Sequence, residues 1–403
     1  MKTKVEVEKE KKKVILENKR DYINFLFGLS IAIISLVIVI FIKNISVQTI
    51  VNKKAGDIYN LCDNLERNSF YEFDYEEIAS AIVKIVNKND VYARYVNSTI
   101  LPNEEKRADG MIYDYGLKYY VTESNKSYIV QELTTNSSKE SGIKVEDEII
   151  KINDIPIDLT GYEQLTLQEK YELVYKYKNP LLEKTKYTVL RDNVELDIYI
   201  KTEIKENEIV YAEKIDDVGY IRITTFIEKT KTLFIEEFEK MTDIKALIID
   251  LRSNGGGSVK PTIEIADYLL PKGIITTFKT NNYEKSYTSD DKSIDIPIYV
   301  LVNENTASAS EILASAIRSL SNGKIIGTET YGKTVGQGRY MLNNIAKGTY
   351  VSFTDSKINT HGQENGKKII PDNIIENDID FNFNKIDLEK DKQLKFTLNL
   401  INK

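Results

Sequence analysis

The sequence predicts a multidomain α/β (α+β) protein with an N-terminal transmembrane helix, a small helical region, a β-rich module and an α/β core. Three observations carry this. An uncharged run of 21 residues extends from Tyr22 to Ile42, short alternating strands begin near residue 111, and strand and helix patterns alternate from about residue 205. With 403 residues the chain has the mass for two to three compact units, at about 150 residues each. Apolar residues at 41% and only 7 prolines describe ordinary folded protein. The 55 basic and 62 acidic residues leave a net charge of −7, and no basic stripe offers itself to phosphates, which excludes a nucleic-acid partner. One cysteine, Cys62, and one histidine, His361, cannot build a Cys/His metal site or a disulfide framework.

Residues 22–42 span about 30 Å as a helix and are apolar all round, which suits a membrane anchor better than a buried core helix. The tail at 1–21 carries eight Lys/Arg against five Asp/Glu, and the segment after the span is poorer in cations. By the positive-inside rule the N-terminus is cytoplasmic and the rest extracytoplasmic. The following KNISVQTIVNKKAG holds no small-x-small cleavage site, so the anchor is expected to persist.

In residues 46–96 the stretch YEEIASAIVKIVNKND has helical spacing, with Asp74 as N-cap and Glu77 three residues on. Residues 97–110, polar with a proline and a glycine, read as a linker or mobile loop. Residues 111–203 alternate as strands around one helical stretch, EQLTLQEKYELVYKY. Residues 205–380 read GYIRIT, KTLFIEEFEKM, ALIIDL, PTIEIADYLL, IPIYVLVN, SEILASAIRSL and KIIGT, a strand–helix alternation that implies an α/β layer fold. Residues 381–403 close the chain with a helix.

The chemistry concentrates at three segments. In the first, strand IPIYVLVN runs into Asn305-Thr306-Ala307-Ser308-Ala309-Ser310-Glu311, where small residues at a strand-to-helix turn expose a side chain. Ser308 and Glu311 also have the spacing of a capping box, the bland reading. In the second, Lys333 follows strand KIIGT and turn ETYG, so the chain can return beside that helix start; a lysine kept neutral by burial can act as base to a serine. In the third, Asp250-Leu251-Arg252-Ser253-Asn254-Gly255-Gly256-Gly257 ends strand ALII with backbone free to approach an anion, and the glycine N–H groups with that of Ala309 could form an oxyanion hole.

The soluble region resembles the carboxyl-terminal processing peptidases, or tail-specific proteases, which carry a PDZ domain and a Ser-Lys dyad. LIIDLRSNGGG, VNENTASASEILASAI and GTETYGKTVGQ carry the resemblance. It implies Ser308 as nucleophile, Lys333 as general base and Gln337 as the amide orienting the lysine, with Gly256, Gly257 and Ala309 around the oxyanion. It also makes residues 111–203 similar to the PDZ domain, with Tyr115, Gly116 and Leu117 at the carboxylate-binding loop. The implied partners are proteins or peptides with unstructured C-terminal ends, besides the membrane. No metal or other cofactor is implied, the PDZ domain would gate activity, and the helical ends would dimerise. Gly255 stands in place of the family's usual proline, and Glu146 and Lys184 in place of glycines.

Two alternatives compete. Gly327 to Thr334 satisfies the P-loop pattern G-x-x-x-x-G-K-[ST], but the continuation VGQGRYMLNN lacks the helix such a loop must open. A tethered PDZ scaffold with an inactive core is the other, which the presence of both Ser308 and Lys333 opposes.

Overall fold

A computed structural model of the chain describes residues 60–69, 72–360, 367–377 and 386–403. The tail 1–21, the span 22–42, the beginning of the 46–96 region and His361 lie outside the described residues. Among the described residues no helix is long and apolar enough to cross a membrane. Residues 60–68 are helical.

The α/β core is organised on a sheet in the order Val210–Ile215, Val218–Ile223, Ala246–Asp250, Ile298–Val302, Lys324–Gly327 and Asn373–Ile374. The first pair is antiparallel and the rest run parallel. Parallel strands need crossovers, and helices Thr230–Glu239, Val259–Leu269 and Ala309–Ser321 lie in the connections between the successive parallel strands from Val218–Ile223 to Lys324–Gly327. Both faces are covered, so the strands read as continuous apolar runs. Leu247 and Ile249 pack with Ile265, Leu269, Ile312 and Leu313 on one face. Ile248, one residue out of phase, packs on the other with Leu301, Ile326 and Leu394 of the closing helix Lys392–Ile401.

A second sheet joins Arg94–Val96, Tyr350–Asn359, Gly273–Lys279 and Glu284–Ser289, with Val335–Met341 also on Tyr350–Asn359. The three-residue strand Arg94–Val96 pairs with a partner some 250 positions away, from Arg94 opposite Ser352 to Val96 opposite Tyr350. It brings helix Tyr75–Val86, which starts directly after Asp74, to the core: Ala79 and Val83 pack with Tyr95, Val351 and Phe353.

The expected linker at 97–110 is instead largely a helix, Leu101–Ala108. Pro102 sits in its first turn, where no intrahelical N–H is required, with Glu104 also in that turn and Lys106 and Arg107 in the last. Proline there starts a helix and does not break one.

The β-rich module is a sheet in the order Leu117–Val121, Tyr128–Leu133, Glu148–Ile152, Lys184–Arg191 and Val194–Lys201, with Ile155–Pro156 on Glu148–Ile152. The helix Leu167–Tyr177 begins at a capping box of Thr166 and Glu169. Chain enters and leaves through an antiparallel ribbon, Met111–Asp114 against Glu203–Glu206, which runs across the expected boundary at 203–205.

Candidate active site

Asp250, Val302 and Gly327 end three adjacent parallel strands, so the segments that follow them emerge on one edge of the sheet. Open α/β sheets bind ligands there. Side chains fasten the turns: Thr306 Oγ1 donates to Leu251 O at 2.9 Å, and Ser253 N to Asn303 Oδ1 at 2.8 Å. Ala307 N reaches Asn254 O at 3.0 Å, and Tyr331 N reaches Thr306 O at 2.9 Å.

Ser308 holds φ +57° and ψ −116° at the start of helix Ala309–Ser321. A non-glycine residue pays of order 1–3 kcal/mol for such backbone, and the strand-to-helix turn that imposes it leaves Ser308 half-buried between buried Ala307 and Ala309. The glycine turn lies against it. A Cβ on Gly256, itself at φ +98°, would stand 2.8 Å from Ala307 O, 2.9 Å from Ser308 Cβ and 3.0 Å from Ala309 N. Gly256 nevertheless departs from its expected part as a donor, because its N–H is held by Asn254 Oδ1 at 2.9 Å. Its contribution is space. Gly257 (φ +138°), whose Cβ would collide with Phe226 O, and Ala309, first in the helix, have N–H groups without an acceptor among the described residues.

Lys333 Nζ donates to Gln337 Oε1 at 2.8 Å and lies 4.8 Å from the centroid of the Tyr92 ring. A β-bulge between Gly336 and Gln337 shifts the register of strand Val335–Met341 against Tyr350–Asn359. Burial holds the Lys333 amine below the usual lysine range, assisted by the nearby Arg94 charge and opposed by Asp90 and Glu311. Among the described residues no hydrogen bond joins Nζ to Ser308 Oγ. The strand that follows Lys333 also removes the P-loop reading, which needs a helix at that point.

Glu311 is buried and unites the two turns. Oε2 accepts from the N–H groups of Ser308 at 2.8 Å and Lys333 at 2.9 Å. Oε1 accepts from Thr330 Oγ1 at 2.6 Å and Gly332 N at 2.9 Å. The capping-box spacing was legible, but the reach to the lysine turn was not.

Behind the glycine turn, fully buried Arg252 pairs with Asp250 and with Asp391 at 2.7 Å, and donates to Gln393 at 3.0 Å. Tyr220 Oη donates to Asp250 at 2.6 Å. Against the effect of burial, Asp250 holds the Arg252 guanidinium well above its usual range. Sequence reasoning missed Tyr92, Arg94 and Asp391, whose interactions with Lys333 and Arg252 cross more than a hundred positions. The motif DLR was the only local signal for the triad.

Tyr115, Gly116 and Leu117 are not brought to this edge by any hydrogen bond among the described residues. They lead into the outermost strand of the β-rich sheet, facing helix Leu167–Tyr177, where Tyr115 Oη donates to Lys178 O at 3.1 Å.

Residues 217–377, the segment that supplies all three turns, match the family model of peptidase family S41. This core is a peptidase family S41 domain. The chain is homologous to the carboxy-terminal processing protease CtpA of Bacillus subtilis, 26% identical over 292 residues, which are 70% of this chain and 60% of that protein. The match therefore spans less than two thirds of that relative. A carboxyl-terminal-processing protease of a Picosynechococcus species is 27% identical over 314 residues, 75% of this chain and 72% of that protein. Among solved structures, the photosystem II D1 C-terminal processing protease shares the fold with a TM-score of 0.50 at 20% identity, over 79% of this chain and 86% of that one. The resemblance carried by the three sequence segments, to serine peptidases of the carboxyl-terminal processing kind, is thus met by the S41 core and by these homologues.

Proposed function

We propose that the chain is a serine endopeptidase that cleaves protein substrates through a Ser308–Lys333 dyad after taking up their unstructured C-terminal ends. The observation that carries this is the single carboxylate oxygen of Glu311 that holds the backbones of both Ser308 and Lys333. It joins a strained, half-buried serine to a buried amine of lowered pKa. Neutral Lys333 donates one N–H to Gln337 Oε1, which leaves its lone pair to take the Ser308 proton as Oγ bonds to the scissile carbonyl carbon. Negative charge then collects on the carbonyl oxygen, where the N–H groups of Gly257 and Ala309 are the available donors. The C–N bond breaks as the lysine returns its proton to the departing amine. Water, deprotonated by the same lysine, splits the ester to release the acid and restore the serine.

Residues 111–203 are read as a PDZ module. In support, Leu117–Val121 is an edge strand with one side unpaired, and a cavity of about 680 Å³ separates it from helix Leu167–Tyr177, with Tyr119, Val121, Leu173 and Tyr177 in its walls. A peptide can add there as a strand. Residues 22–42 are read as a single-pass anchor with the N-terminus cytoplasmic, on the strength of their uncharged length and the basic tail before them. Dimerisation is proposed on resemblance alone; sedimentation of the full chain showing only monomer across micromolar concentrations would remove it.

The test is cleavage of reduced, alkylated casein by the full chain in detergent, beside Ser308→Ala and Lys333→Ala. Cleavage lost in both variants supports the dyad. Cleavage that survives Ser308→Ala overturns the nucleophile, and a folded, inactive protein points to a tethered scaffold.

A further inference from the structure

We infer that Lys178 is the anchor for the terminal carboxylate of a polypeptide bound in the groove of the β-rich module. This rests on the PDZ reading above. Grooves of that kind hold a chain end on the backbone N–H groups of the loop before the edge strand. In this chain the central N–H of the loop is already engaged: Gly116 N donates to Asp114 Oδ1 at 2.8 Å. Asp114 is fixed in that position by Thr134 Oγ1 at 2.6 Å and by an ion pair with Lys205. Only glycine fits this turn, because Gly116 holds φ +91° and a Cβ would stand 2.5 Å from Ile200 Cγ2. An arriving carboxylate meets an internal one at the site it would use.

A cation stands where the donor is lost. Lys178 caps the C-terminal end of helix Leu167–Tyr177, and its backbone is tied to the loop through the Tyr115 hydroxyl. Its Nζ lies 4.9 Å from the centroid of the Tyr119 ring and 5.8 Å from that of Tyr115. The residue lines both the groove cavity and an adjoining one of about 470 Å³, which Arg107 and Lys170 also line. Lys170 is turned to Glu163 at 3.7 Å, whereas Lys178 has no carboxylate partner among the described residues. Burial lowers the Lys178 pKa, with Asp114 the charge opposing it. A partly buried ammonium without a counter-ion is unfavourable, and a ligand carboxylate relieves that while gaining a charge-assisted hydrogen bond. Two ring faces hold the ammonium by cation–π attraction, and Tyr119 lines the groove cavity together with Lys178. The occupant with matching chemistry is therefore the free C-terminal end of an unfolded chain.

The experiment uses the full chain in detergent with Ser308→Ala to prevent turnover. Two fluorescein-labelled pools of random decapeptides, one with free-acid and one with amidated C-termini, are titrated by fluorescence anisotropy. The free-acid pool is expected to bind about tenfold more tightly. Adding Lys178→Met erases the difference, Lys178→Gln does the same, and Lys178→Arg keeps it. Equal binding of the two pools, or a preference that survives both Lys178→Met and Lys178→Gln, overturns the anchor and leaves the groove standing. Binding of neither pool overturns both. Casein cleavage by the chain with Ser308 intact reports separately on the peptidase reading, which fails only if Ser308-dependent cleavage is absent.

Discussion

The backbone N–H groups of Ser308 and Lys333 donate to one and the same atom, Glu311 Oε2, at 2.8 and 2.9 Å. With Thr330 and Gly332 on the other oxygen, four donors share a carboxylate that is almost wholly withdrawn from solvent. An amide offers one acceptor oxygen where two are needed. Glu311→Gln is therefore expected to leave buried donors unmet, lowering stability by about 2–3 kcal/mol. It should lower kcat by about a hundredfold with little change in KM, since the dyad and not the substrate is displaced. Denaturant titration and casein kinetics check the two halves.

The dyad needs a neutral lysine, and the Lys333 pKa lies below its usual value because of burial first and Arg94 second. Activity is expected to rise with pH through that lowered pKa and to fall as Lys333 gains its proton on the acid side. Removing a neighbouring positive charge favours the protonated amine. Arg94→Gln should thus move the ascending limb of the kcat/KM profile to higher pH, and on the acid side of the limb each pH unit of that movement costs about tenfold in rate. A limb that stays in place, or moves down, contradicts the assignment of that limb to Lys333.

Tyr92 contributes a ring face beneath Lys333 Nζ, and burial pushes its own phenol up to about 12, so it stays neutral at working pH. The ring is the part that matters. Tyr92→Phe should keep activity within about twofold, while Tyr92→Ala admits water to the amine and moves the ascending limb to higher pH. Parallel pH profiles of the two variants separate ring from hydroxyl.

Arg252 ties the glycine turn to the closing helix through Asp391, whose carboxylate also caps that helix by accepting from Leu394 N at 3.0 Å. Asp391→Ala leaves a buried guanidinium short of one partner and removes the cap. It is expected to destabilise the core by about 3–5 kcal/mol, measured by urea denaturation followed by far-ultraviolet circular dichroism.

Glu146 occupies left-handed backbone, φ +71°, where the family usually has glycine, and its side chain is exposed. Glu146→Gly should stabilise the β-rich module by about 0.5–1 kcal/mol, the relief of left-handed strain exceeding the added freedom of the unfolded chain. Thermal denaturation checks the sign.

Local pattern was enough for the parallel core strands, the crossover helices, the cap at Ser308 and the three chemistry-bearing segments, because periodicity and turn residues act over a few positions. The same locality misleads at 97–110: a proline among polar residues reads as a breaker, whereas at the first turn of Leu101–Ala108 it starts a helix. Gly256 was legible as a glycine required beside the serine, but whether its N–H points to an oxyanion or to Asn254 depends on side-chain reach that no spacing encodes. What only the tertiary structure decided is the traffic between distant segments: Glu311 joining two turns, Tyr92 and Arg94 arriving at Lys333 through pairing with Tyr350–Asn359, and Asp391 closing on Arg252. Those contacts form when the sheet brings strand ends to one edge. Their free energy comes from buried charges and hydrogen-bond donors finding partners in one another, which offsets the cost of desolvating them and is a property of the packed core that the order of residues alone does not carry.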